Sequence, residues 1–170
     1  MSHRTDAVQQ TARGLSKRIS QNLRGRGGIY ALLAQEHGEA DTLMTKIAHT
    51  SNDEHGRRRE LFRQLKADLL THASLEDEIF YVELAKHSAT SGDVGHAREE
   101  HAEMEQLLRE LSDLPIDHQS WKNKFDRLHR VVEHHVSEEE GEVFPKARDV
   151  LSDDDAQRME DEYRRRRASA

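Results

Sequence analysis

Four histidines in this sequence stand where imidazole nitrogens could converge on a metal: His37, His72, His101 and His135. His37 and His101 belong to two similar stretches, EHGEADTLMTKI (36–47) and EHAEMEQLLREL (100–111), which align at an offset of 64 and match Glu36 to Glu100, Glu39 to Glu103 and Leu43 to Leu107. His72 follows His37 by 35 residues and His135 follows His101 by 34, the length of one helix down and back, so each pair returns to a similar depth. A lone histidine on an apolar face is ordinarily a hydrogen-bonded core residue. Four at matched depth need a shared purpose, because an unpaired buried polar group costs about 1–3 kcal/mol in a domain that is only marginally stable. Carboxylates supply the other half of the pattern: Glu76 lies four residues after His72 and Glu139 four after His135, on the same helical faces. Imidazoles and carboxylates from four facing helices can enclose two metal ions, with the carboxylates bridging. Such a mixed set suits iron or manganese better than zinc, which usually settles for four ligands.

The stretch HHVSEEEGEVFP (134–145) leaves one position open. Counting from His72, Glu76 matches Glu139 at an offset of 63, whereas EIFY (78–81) over EVFP (142–145) demands 64 and selects Glu140, with Gly141 as the extra residue. A helix turns about 40° over four residues and about 140° over five, which favours Glu139 and keeps Glu140 as its competitor. Glu138 and Glu142 read as solvated charges. Asp41 and Glu105, four residues after His37 and His101, are further candidates that nothing local separates from exposed carboxylates.

These residues need long helices to position them. Apolar side chains recur at helical spacing in four segments: Ile29 to Ile47, Leu61 to Phe80, Val94 to Leu111, and Trp121 to Val143. SND (51–53) offers caps before the second, Asp93 before the third, Pro115 ends the third, and Pro145 stops or kinks the fourth. SDDDAQ (152–157) resembles a capped start for a short fifth helix. The expectation is an all-α fold, an antiparallel up-down-up-down four-helix bundle over residues 29–150. A mobile basic arm (1–28) precedes it, and a short C-terminal helix with a basic tail (151–170) follows.

Composition agrees. The chain has 170 residues, 35% charged and 34% hydrophobic, with two prolines and a net charge of −7, which argues against general nucleic-acid binding. The basic ends, including Arg164 to Arg167, read as solvated tails. With no cysteine, thiolate metal sites, disulfides and cysteine nucleophiles are excluded. No apolar run is long enough to span a bilayer, so a cytoplasmic protein is expected. GRGG (25–28) lacks the lysine and preceding strand of a phosphate loop and reads as linker.

The stretches EH (36–37), HASLEDEIFY (72–81), REEHAEMEQLL (98–108) and HHVSEEEGEVFP (134–145) together resemble the bacterial hemerythrin-like HHE cation-binding family over residues 29 to about 149. The resemblance implies a non-haem di-iron centre, bridged by oxygen and two carboxylates, with His37, His72, Glu76, His101 and His135 as ligands and Glu139 or Glu140 in the last place. One departure stands out. Oxygen carriers of the family have a histidine four residues before the third-helix ligand, and here that position is Ala97, which argues against reversible oxygen carriage.

Three functions then compete. The first is a redox protein whose two iron ions react with O2, hydrogen peroxide or nitric oxide, in oxidative or nitrosative stress or iron handling, with catalase-like peroxide disproportionation as the enzyme activity to test. The second is a non-catalytic oxygen or iron sensor. The third is a structural bundle without metal.

Overall fold

The computed structural model of the protein describes residues 27–169. The expected basic arm therefore lies almost wholly outside the described residues. These are helical throughout their length, apart from short connections. No helix among them is long and apolar enough to cross a membrane.

Helix α1 spans Ile29–Ala48 and buries Ile29, Leu32, Leu33, Glu36, His37, Ala40, Leu43, Met44 and Ile47, one face at the expected spacing. It starts after Gly28, whose φ of 73° favours glycine, and a Cβ there would lie 2.9 Å from Ala156 Cβ. Helix α2 runs His55–Leu75, passes into a π-helical segment, Glu76–Tyr81, and finishes with a turn, Val82–Leu84. Helix α3 is Ser91–Asp113. Helix α4 is Gln119–Glu138, with its own π segment at Glu139–Val143 and an α-helical continuation, Phe144–Val150. Helix α5, Asp153–Arg167, opens on a reciprocal Ser152–Asp155 capping box. α1 packs chiefly against α2, α3 against α4, and α5 against α1.

Some boundary expectations need correcting. Asp93 does not cap α3; it sits in the first turn, and its carboxylate accepts two hydrogen bonds from Lys146 Nζ, at 2.9 and 3.0 Å. The residue at the N-cap of α2 is Glu54, not one of residues 51–53. Pro145 does not end α4, because it falls in the first turn of the α segment that follows the π turn, where a missing N–H is tolerated.

The apolar core forms two clusters. One joins Ile29, Leu33, Phe80, Tyr81, Phe144 and Tyr163. The other joins Met44, Leu65, Leu108, Trp121, Phe125 and Leu128. Buried Arg58 fastens the loops near the second: its guanidinium donates to Thr50 Oγ1 at 2.7 Å, to the Ser51 carbonyl at 2.8 Å, and to the Ile116 carbonyl at 3.1 Å.

Candidate metal centre

The six ligands expected first are all buried: His37, His72, His101 and His135, with Glu76 and Glu139 at 0% and 1% exposure. The helices bring them together. His37 Nε2 lies 3.2 Å from Glu139 Oε2, and His72 Nε2 lies 3.4 Å from Glu76 Oε2. His101 Nε2 is 3.3 Å from both Glu76 Oε2 and His135 Nε2. Two overlapping sets result, His37–His72–His135–Glu139 and Glu76–His101–His135, each with one donor atom per residue within 4.8 Å of the others.

Three of the four imidazoles are backed by a second carboxylate within hydrogen-bond distance of Nδ1. Glu140 Oε1 sits 2.9 Å from His37, Glu36 Oε2 2.9 Å from His72, and Glu100 Oε2 2.9 Å from His135. Asp77 Oδ2 faces His101 more loosely, at 3.7 Å. A carboxylate on Nδ1 holds the proton there and aims Nε2 at the centre, the usual orientation of metal-ligating histidines. Glu139 against Glu140 is thereby separated by placement: Glu139 points at the cluster and Glu140 supports a ring. Asp41 and Glu105 lie outside it; Glu105 is exposed and accepts from Arg109 at 2.7 Å.

Electrostatics show how strained this arrangement is as protein alone. Burial would lower His37, yet Glu139 and Glu140 hold it up to about 9. The same contest raises His72 to about 10 through Glu76 and Glu36, and His101 to about 10 through Asp77 and Glu76. Burial would raise Glu76, but His72 and His101 pull it well below the carboxylate range. Glu139, buried and facing the Glu76 charge, is pushed up. His37 Nε2, His72 Nε2, both oxygens of Glu76 and Glu139 Oε2 have no hydrogen-bond partner although buried. Buried polar atoms without partners are rare, and several aimed at one point fit a cation set.

Two tyrosines complete the site, and the sequence reading missed both. Tyr81 donates to Glu139 Oε1 at 2.7 Å and stacks on His101 at 5.6 Å. Tyr163, from α5, donates to Glu36 Oε2, and Arg167 Nε lies 3.2 Å from Glu36 Oε1. Burial, with the charges of Glu139 and Glu36 respectively, raises both phenols, so each keeps its proton. A partly open cavity of about 450 Å³ adjoins the four histidines, with Leu69, Met104, Leu108 and Val132 among its walls and Arg98 and Arg167 at its side.

The geometry also revises the repeat. Phe144 stacks on His37 (6.4 Å, 14° between planes) as Tyr81 stacks on His101, and each aromatic follows its inward glutamate by five residues. The offset from Glu76 through Tyr81 is therefore 63 throughout, and Gly141 is not an extra residue; the one-residue difference falls between His101 and His135.

With this arrangement in hand, the comparison with known proteins is direct. A family model described as the hemerythrin HHE cation binding domain matches residues 28–147. The chain belongs to that family. As a hemerythrin HHE chain it carries a cation-binding domain, and its clustered histidines and glutamates are the groups such a domain needs. The crystal structure of a hemerythrin HHE cation binding domain-containing protein from Mycobacterium kansasii superposes with a TM-score of 0.73 at 23% identity. The match covers 82% of this chain and 85% of that one, and shows the shared fold. A protein of Nostoc sp. named DNA nickase is 26% identical over 136 residues, 80% of this chain but 38% of its own length. The hemerythrin HHE chain thus spans about two fifths of that relative.

Proposed function

We propose that this chain is a non-haem di-iron protein that reacts with a small oxidant or gas, O2, hydrogen peroxide or nitric oxide, within an antiparallel up-down-up-down bundle. His37, His72, His101 and His135 would supply nitrogens, and Glu76 and Glu139 carboxylate oxygens. The observation that carries this reading is the set of buried, partnerless Nε2 and carboxylate atoms facing one another. Six donors exceed what a single tetrahedral zinc uses and suit two iron ions.

When bound, iron supplies redox chemistry and open coordination positions. The residues of the chain do the rest. Glu36, Glu100 and Glu140 fix the rings of His72, His135 and His37, and the cavity beside the histidines admits a small molecule while its apolar walls limit water. Tyr81 holds a proton at its Oη against Glu139, on one side of the centre only, because Phe144 at the equivalent place has no hydroxyl. A proton donor beside one of the two inward carboxylates supports peroxide chemistry, so peroxide disproportionation is the activity to measure first.

Protein made in iron-replete cells is analysed for metal, its ultraviolet–visible spectrum is recorded, and it is then mixed with hydrogen peroxide. About two irons per chain with oxygen evolution is the expected result. Two irons without turnover favours the second reading, an oxygen or iron sensor, which rests on the direct tie between Glu36 and α5 through Tyr163 and Arg167. Absence of metal overturns both. DNA nicking is not carried over: the matched region is the smaller part of that relative, and Arg164 to Arg167 are paired with Glu160, Glu162, Glu78, Glu36 and Asp68.

A further inference from the structure

On the outer face of α3 and α4 a second group of ligand-type side chains meets. His96 and Glu100 stand four apart on α3, and His134 and Glu138 four apart on α4, so each helix presents one imidazole beside one carboxylate. Glu138 spans the pair: Oε2 lies 3.2 Å from His96 Nε2 and Oε1 lies 3.2 Å from His134 Nε2. Glu100 Oε1 lies 3.6 Å from His134 Nε2 and 3.8 Å from His96 Nε2. Donors bound tetrahedrally at zinc-type bond lengths sit about 3.3 Å from one another, so these separations need little adjustment to close on one ion.

Proximity of surface histidines and glutamates alone would be a solvated ion-pair network. Glu100 argues for more. It is 8% exposed, and its Oε1 is buried without a hydrogen-bond partner while Oε2 supports His135. The repeat shows what that oxygen calls for: in the equivalent Glu36, Oε2 supports His72 and Oε1 faces the Arg167 guanidinium at 3.2 Å. A cation fills the place in one half of the molecule. In the other half the same oxygen faces two imidazoles, each with an Nε2 that can ligate a cation.

The geometry points to a surface site for one first-row divalent cation, held by His96 Nε2, His134 Nε2, Glu100 Oε1 and Glu138, distinct from the inner centre and joined to it through Glu100. Two imidazoles with two carboxylates select zinc-like ions over calcium or magnesium, which prefer all-oxygen shells. The site stands whatever metal the inner centre holds.

The protein as isolated is titrated at neutral pH with Co2+, whose four-coordinate complexes absorb strongly in the visible, beside His96→Ala/His134→Ala, both side chains being more than half exposed. The wild type is expected to bind one cobalt per chain more than the double variant, with the visible band absent from the variant and the metal content before titration equal in both. No additional cobalt in the wild type, or equal uptake by the two proteins, overturns the assignment. Should the double variant fail to fold, as judged by circular dichroism, Glu138→Ala must show the same loss of one cobalt, and its retention overturns the site equally.

Discussion

At the scale of residues, the two adjacent glutamates of α4 do different work, and substitution separates them. Glu139→Ala removes an inward oxygen and, on the proposed two-metal reading, is expected to lose at least one metal, counted by elemental analysis after dialysis. Glu140→Gln leaves the donor set intact but loosens the His37 ring, weakening retention against a chelator by about 10–100-fold. Equal metal loss in the two variants would show that Glu140 is itself a ligand. If the proposed centre is loaded, Tyr81→Phe should leave its metal count unchanged and shift the visible spectrum, since Glu139 loses the hydroxyl that donates to its Oε1; an unchanged spectrum and peroxide rate would show that the proton at Tyr81 is idle. Titration gives a third expectation. His37, His72 and His101 have folded values of about 9, 10 and 10, above their unfolded value. In chelator-treated protein their stabilising effect is full below about pH 6.5 and is lost as pH rises through 9 to 10. Thermal unfolding of the metal-free protein should therefore weaken across that alkaline window. Metal must displace these protons, so loading at neutral pH should release protons into a weakly buffered solution.

At the scale of elements, the four helices were legible because their apolar stripes are long, and the histidines stood out because they interrupt those stripes at matched depth. The π segments were not. A π turn holds one more residue than an α turn, so Glu76 with Tyr81, and Glu139 with Phe144, keep to one side five residues apart. Ideal α geometry misread this as an inserted Gly141. It also hid Tyr81, for which α spacing from His72 predicts no inward role. Tyr163 carried no signal either, since a tyrosine on a short, highly charged helix looks like an ordinary packing residue; only the docking of α5 on α1 brings it to Glu36. Tyr163→Phe deprives Glu36 of a buried donor and is expected to destabilise the protein by about 1–3 kcal/mol in urea unfolding. A smaller effect than about half a kcal/mol would mean that Arg167 and the His72 ring secure Glu36 without the hydroxyl.

At the scale of the whole molecule, the arrangement concentrates buried charge in a domain of modest core. Ligand binding to the folded state alone adds about 4 kcal/mol when metal is present at a thousand times its dissociation constant. For a chain of this length that corresponds to roughly 10 °C in Tm, so chelation should lower the calorimetric transition by about that amount, and a shift near zero would show that the buried ion pairs suffice by themselves.

The two apolar clusters lie in different parts of the bundle, one with α5 and both π segments and the other with the far ends of the helices, and the polar layer of histidines and glutamates separates them. That layer is a seam. With metal it is expected to join the two half-cores into one cooperative unit; without metal, each half is expected to open on its own. Hydrogen exchange on chelated protein should then show amides around Phe80 and Tyr163 opening independently of those around Trp121 and Leu128, whereas the loaded protein should open as one.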